Sequence, residues 1–308
     1  MRIFVTGASG YIGSAVVRDL LEAGHQVTGL ARSDKAADAL VDAGVEVHRG
    51  VLDDLDSLRH GAAAADGVIH LAFNNIGPNT DFAAAAQQDL DAVNAIGSVL
   101  EYSDKPFVIT TGTLMLALLG RLGTENDVLD SSIPRVASEN AAIAMAERGV
   151  RSSAIRLAPS VHGEGDLHGF IPSLIGIARA KGVSAYVGDG LNRWPGVHRL
   201  DAARLYRLAA EVAPAGSRLH GVGEEGVPFK YIAETIGRQL GLPAVSIGAA
   251  EAGDHFGFLS MLVSFDNPTS NALTRERVGW RPTHLGLIED LEQDHYFHDA
   301  SSRRAEAE

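Results

Sequence analysis

Three glycines at regular spacing carry the first chemical signal in this chain. Val5-Thr6-Gly7-Ala8-Ser9-Gly10-Tyr11-Ile12-Gly13 reads G-x-x-G-x-x-G between a β-rich run, Ile3 to Thr6, and a segment of helical periodicity. In that context Gly7 permits a tight turn off the strand, Gly10 lets backbone approach a pyrophosphate, and Gly13 lets the helix pack closely on the sheet. The helix start offers unpaired N–H groups and a positive dipole end to phosphates. The second expected strand ends in Leu30-Ala31-Arg32-Ser33. An acidic residue there would accept hydrogen bonds from adenosine ribose hydroxyls, whereas Arg32 is a charged fork suited to a 2′-phosphate, with Ser33 as a second donor. Together these residues imply a nicotinamide dinucleotide, with NADP(H) preferred and NAD(H) possible.

Other chemistries find less support. His295 and His298 are spaced as on one helix face, but no third ligand stands nearby and H-E-x-x-H is absent, so no metal site is expected. Their segment, Glu289 to Asp299, reads as a solvated helix. No G-x-S-x-G elbow occurs, which argues against an α/β-hydrolase. The chain has 308 residues, no cysteine and a formal charge of −13, so disulfides and thiol nucleophiles are excluded and a nucleic-acid partner is disfavoured. No apolar run approaches the roughly 20 residues needed to cross a bilayer. No signal-peptide pattern follows Met1-Arg2-Ile3-Phe4-Val5, and the expected location is the cytoplasm.

Strands and helices alternate through the first 160 residues. Strands are expected at Val27 to Ala31, Val45 to His48, Val68 to Ala72, Phe107 to Thr111 and Ser153 to Leu157, with helices at Ala36 to Ala43, Phe82 to Tyr102 and Ser138 to Arg148. Such alternation means an α/β fold: a Rossmann-type doubly wound parallel sheet. Beyond Val161 the pattern loosens into a glycine- and histidine-rich loop and helices at Ile171 to Lys181, Asp201 to Val212 and Phe229 to Leu240. The expected organisation is a dinucleotide-binding domain over 1–160 and a smaller C-terminal substrate lobe over 161–308. The two are interleaved, because the segment near Arg218 to Val222 returns to the main sheet. Phe170, Trp194, Phe256, Phe258, Met261 and Leu262 could line an apolar pocket, but ordinary core is the favoured reading. Residues 301–308 are polar and expected to fray.

With these residues in hand, the chain resembles the extended or atypical short-chain dehydrogenase/reductases, the NAD-dependent epimerase/dehydratase family. The resemblance runs through Thr6-Gly7 to Gly13, Leu52-Asp53, His70-Leu71-Ala72, Val93-Asn94-Ala95-Ile96-Gly97, Val197 to Ala203, His220 to Glu224, and Gly279-Trp280-Arg281-Pro282. It implies a cofactor cradle of Gly7, Ser9, Gly10, Tyr11, Ile12 and Gly13, with Leu52 and Asp53 at the adenine and Leu71, Ala72, Phe73 and Asn94 beside the ribose. Thr111, Pro159, Ser160 and Val161 would lie on the nicotinamide side. It also implies a small-molecule substrate and a homodimer through the helices near 82–102 and 138–148.

The family's Tyr-x-x-x-Lys pair is missing: between Thr113 and Val161 there is neither tyrosine nor lysine. If Glu139 matches the glutamate that follows the lysine in the family, Ser131 and Arg135 occupy the pair's positions. A serine hydroxyl is a far weaker acid than a phenol, and an arginine keeps its proton. The replacement candidates are His162, which stands where the family's loop has a tyrosine and titrates near neutrality, and Thr111 and Thr113, which could orient a carbonyl oxygen. The leading expectation is NADPH-linked reduction of a small carbonyl-type substrate with atypical proton delivery. A dinucleotide-binding regulator, or an epimerase or isomerase with a tightly held cofactor, remain the alternatives.

Overall fold

The β-branched and aromatic runs at the start of the chain form strands that are largely buried, except at the edge strand Glu46–Arg49. In the computed structural model, which describes residues 1–74 and 81–297, these strands are β1 (Arg2–Thr6), β2 (Gln26–Ala31), β3 (Glu46–Arg49), β4 (Gly67–His70), β5 (Pro106–Gly112) and β6 (Arg151–Leu157). The helices between them are α1 (Tyr11–Glu22), α2 (Asp34–Asp42), α3 (Leu55–Ala63), α4 (Phe82–Ser98) and α5 (Val136–Ala144). Their ends carry ordinary caps. Ser33, Asp54 and Asp81 accept from backbone N–H groups at the starts of α2, α3 and α4. Gly24, at φ +83°, closes α1 with Gly24 N–H bonded to the Leu21 carbonyl and His25 N–H to the Leu20 carbonyl.

The second half supplies β7 (Ser160–His162), α6 (Phe170–Lys181), β8 (Ser184–Val187), β9 (Arg193–His198), α7 (Arg199–Val212), β10 (Ser217–Gly221), β11 (Glu224–Pro228), α8 (Phe229–Leu240) and β12 (Ala244–Ile247). Three short helices follow: α9 (Ala252–Phe256), α10 (Ala272–Val278) and α11 (Leu287–Leu291). Among the described residues the main sheet is parallel and seven-stranded, ordered β10-β6-β5-β4-β1-β2-β3. The order reverses between β1 and β4, and the crevice at such a switch point is where ligands bind in open α/β sheets.

Period-two alternation sends β1 side chains to two separate cores. Ile3 and Val5 join α1, α2 and α7, while Phe4 packs with α3, α4 and α5. The C-terminal half therefore completes the N-terminal one: β10 pairs with β6 along Ser217 to Gly221, and α7 lies on α1. The smaller lobe has its own core around Trp194, Phe229 and Leu291, with β9 between β7 and β11. Phe256 belongs to that core, but Phe258 and Met261 face outward at 41% and 65% exposure.

The acidic C-terminal segment departs from its expected reading. Leu291 and Asp290 are buried and Tyr296 nearly so, so the segment is folded into the lobe rather than forming a solvated helix. Its charge is carried inward because Asp290 lies 2.9 Å from His162 Nδ1 and 3.6 Å from His295 Nε2. His298 lies outside the described residues.

Two separated motifs turn out to meet. Trp280, fully buried, donates its indole N–H to the Asp201 carbonyl at 2.9 Å. The Asp201 carboxylate accepts from the Thr283 and His284 backbone N–H groups, each at 3.0 Å. These motifs lock α7 to the turn after α10.

The interior also holds an ion cluster on α5. Glu139, fully buried, receives Arg156 through both oxygens, Arg218 Nε at 2.7 Å and the Thr111 hydroxyl at 3.1 Å. Burial alone would raise the Glu139 carboxyl, but Arg156 and Arg218 hold it below the usual range. Removing one partner of a buried pair strands the other charge. Glu139→Ala should lower unfolding stability by about 3–5 kcal/mol in a urea titration; a loss under about 1 kcal/mol would show that the arginines find other partners.

Candidate functional site

The glycine turn fits tightly between two strand ends. Gly7 sits at φ +69°, and a Cβ there would stand 2.8 Å from the Ala72 amide nitrogen. A Cβ on Gly13 would fall 2.0 Å from the Gly7 carbonyl oxygen, and Gly10 N–H donates to that same carbonyl at 3.0 Å. Thr6 is buried; its hydroxyl accepts from Ala72 N–H at 3.2 Å and bonds His70 Nδ1 at 2.8 Å. Ser9 and Gly10 are exposed, Ile12 is half-buried, and no side chain caps the start of α1. The first N–H groups of that helix stay available to an anion.

Tyr11 bridges to the smaller lobe. Its hydroxyl donates to the Gly163 carbonyl at 3.1 Å, and the Arg199 guanidinium lies 4.5 Å from its ring centre. Burial, then Asp166, push the Tyr11 phenol above the ordinary tyrosine range, so it holds its proton at neutral pH.

At the far edge, Arg32 follows β2 exposed and has no hydrogen-bond or ion-pair partner among the described residues. Ser33 caps α2 by accepting Ala36 N–H at 3.2 Å, which leaves its own hydroxyl proton free to donate. Leu52 packs against the core, and Asp53 accepts from Gln88, whose carbonyl takes the Asn74 amide at 2.7 Å.

On the reaction side the structure separates the expected residues. Leu71, Ala72 and Phe73 are half-buried after β4. Arg135 caps α5 with φ +68°, stacks its guanidinium 3.9 Å from the Phe73 ring centre and donates Nη2 to the Thr110 carbonyl. Asp89 lies 3.9 Å from that Nη2 and 3.4 Å from His70 Nε2. Burial lowers the Arg135 guanidinium and Asp89 opposes the shift. Ser131 is exposed, its Oγ accepting from Asn140 at 2.9 Å. Thr111 is sealed against Glu139, and Thr113, fully buried, accepts from Asn267 at 3.2 Å. Asn94 lies on the exposed face of α4, whereas the polar residue on its buried stripe is Asp89, with Ala85, Ala92, Val93 and Ile96. A carboxylate at helical spacing inside an apolar stripe was a readable signal.

Pro159 and Val161 are half-buried and Ser160 is buried with its hydroxyl unpartnered among the described residues. His162 is 1% exposed, its Nδ1 2.9 Å from Asp290, and its ring meets His198 edge-on at 5.5 Å. His198 in turn stacks on His284 at 4.7 Å. His162 thus joins the glycine-rich loop to α11 and is closed off from solvent.

The sequence profile of the NAD dependent epimerase/dehydratase family matches residues 3–110, the stretch holding the glycine turn and β1 to β5. An uncharacterized protein of Schizosaccharomyces pombe is 50% identical over 298 residues, covering 96% of this chain and 100% of the relative. The chain belongs to the NAD-dependent epimerase/dehydratase family. Among more distant members, a UDP-glucose 4-epimerase of Streptomyces lividans is 26% identical, over 96% of this chain and 97% of its own. The fold is that of a dTDP-glucose 4,6-dehydratase of Streptomyces venezuelae solved with NAD bound, at TM-score 0.78, 18% identity and 98% coverage of each chain.

Within this family member, the described residues hold no group of three or more metal-ligating side chains. No helix among them is long and apolar enough to cross a membrane. Two buried or half-buried histidines, His198 and His220, are neutral at pH 7. Burial, then His162 and His284, hold His198 at about 4, and its Nδ1 accepts Leu200 N–H at 3.3 Å. Burial, partly offset by Glu125 and reinforced by Arg156, holds His220 at about 4; its Nδ1 donates to the Ser270 carbonyl at 2.7 Å.

Histidines with folded values below the ordinary 6.5 bind protons more readily in the unfolded chain. Stability should therefore fall as pH drops from about 6.5 toward 4. Asp290, held far below the usual carboxylate range, stays charged through that window. Thermal melts at pH 7 and pH 5 should show a lower midpoint at pH 5, with the difference reduced in His220→Gln; equal midpoints for the native chain would refute the assignment.

Proposed function

We propose that this chain binds NADP(H) along the C-terminal edge of its main sheet and uses it to reduce a small carbonyl-type substrate. The observation that carries the cofactor choice is Arg32, exposed and without a partner among the described residues, directly after β2 where an acid would favour NAD. The residues present fit the group. The glycine turn has no room for a Cβ at Gly7 or Gly13, and the open start of α1 suits a pyrophosphate. Arg32 and Ser33 would take the 2′-phosphate, and Leu52 and Asp53 would flank the adenine.

The nicotinamide supplies a hydride when bound. On its side, Phe73 and Arg135 offer an aromatic wall and a fixed cation for the second ribose. Thr111 and Thr113 are committed to Glu139 and Asn267, so their hydroxyls support the end of β5. Ser131 is too weak an acid and Arg135 keeps its charge. His162 is sealed against Asp290, which supports a role in holding the loop. Water is left as the proton source.

A second reading draws support from the full-length likeness to a UDP-glucose 4-epimerase: an isomerisation through transient hydride transfer, with the dinucleotide retained. A cofactor that survives purification, with no net NADPH oxidation on a carbonyl panel, would favour it. Calorimetric titration tests the cofactor assignment. NADPH should bind more tightly than NADH, and Arg32→Ala should weaken NADPH by roughly 10–100-fold, the size of one or two charge-assisted hydrogen bonds, while NADH shifts less than about twofold. Equal effects on both would sink the 2′-phosphate assignment.

A further inference from the structure

A second cation stands at the same corner of the sheet. Arg49 is the last residue of β3 and lies opposite Ala31 in the parallel register, one residue before Arg32. Gly50 N–H donates to the Ala31 carbonyl at 3.2 Å. The backbone there is pinned: Ser57 Oγ donates to the Arg49 carbonyl at 3.4 Å, and a Cβ on Gly50 would clash with that Ser57 Oγ. Arg49 Nη2 reaches Asp34 Oδ1 at 2.8 Å, and Asp34 directly follows Ser33. The two side chains are 53% and 91% exposed. A pair so exposed is weakly held and readily exchanged.

A phosphomonoester carries nearly two charges and three acceptor oxygens. Asp34 offers one charge on a side chain that is 91% exposed, whereas the backbone of Arg49 is held by Ser57 and by the neighbouring strand. We propose that Arg49 is a second arm of the 2′-phosphate site and that Asp34 is its displaceable counter-ion. The pair then sets how strongly the chain discriminates a 2′-phosphorylated dinucleotide from one with a free 2′-hydroxyl. With the phosphate present, Arg49 exchanges Asp34 for it; without it, Asp34 keeps Arg49 occupied and no gain is realised. This inference rests on the reading of Arg32 as a phosphate ligand.

The test is calorimetry of the full chain with NADPH, NADH and 2′,5′-ADP, a probe that carries the 2′-phosphate and lacks the nicotinamide. Arg49→Ala should weaken NADPH and 2′,5′-ADP by roughly tenfold and NADH by less than about twofold. Asp34→Asn should tighten NADPH and 2′,5′-ADP by about threefold, and that gain should vanish in the double variant, because the two residues act on one another. Arg49→Gln keeps the side-chain stem and should reproduce Arg49→Ala, with melting midpoints confirming the fold of each variant. Equal weakening of NADPH and NADH by Arg49→Ala, or an Asp34→Asn gain that persists without Arg49, overturns the proposal. If Arg32→Ala is selective and Arg49→Ala is not, Arg49's role alone falls; if neither is selective, the 2′-phosphate reading falls with it.

Discussion

A Cβ on residue 13 would stand 2.0 Å from the Gly7 carbonyl oxygen, and one on residue 7 would stand 2.8 Å from the Ala72 amide. The start of α1 can lie against the end of β1, and that turn against the end of β4, only because neither position carries a side chain. The open N–H groups of α1 are thereby held at the point where the strand order reverses. The same closeness brings Tyr11 within reach of the Gly163 carbonyl, so the turn is tied to the smaller lobe as well as to the sheet. Widening the turn by one methyl would move the helix start and the lobe contact together.

Buried charge provides the second layer of order, and it centres on α5. Glu139 is shared between Arg156 of β6 and Arg218 of β10, while Arg135 at the head of the helix faces Asp89 of α4 and the end of β5. Glu139 is compensated by arginines from two other elements and Arg135 faces a carboxylate from a third, so the position of the helix is tied to all of them. Arg135 adopts a left-handed backbone conformation that non-glycine residues rarely take. The surrounding contacts with Phe73 and Thr110 hold it there.

The Rossmann sheet was legible because parallel strands covered on both faces must be apolar throughout, and Ile3 to Val5, Val68 to Ile69 and Phe107 to Ile109 are. Helix α3 leaves little trace in the sequence, although Asp54, Leu55, Leu58 and Ala62 carry its cap and inner face. Nine residues leave little periodicity to detect. The short strands β7, β8, β9, β11 and β12 escaped for the same reason. In the site, the glycine turn was visible because its constraint is local. The setting of Arg135, the Asp89 partner and the closure of His162 by Asp290 are not, since each depends on residues from separate elements, far apart in sequence, meeting in space. The outward face of Asn94 shows the same limit, because a motif fixes spacing but not which side of a helix is covered.

The interleaving of the halves also bears on how the chain is made. β6 is translated well before its neighbour β10, and α1 before α7, which covers it. A nascent chain that has cleared the ribosome only through β6 therefore presents an unpaired strand edge and the side of α1 that α7 will cover. Its first half is a sticky intermediate awaiting the second, and the full sheet closes only after the lobe that interrupts it has been synthesised.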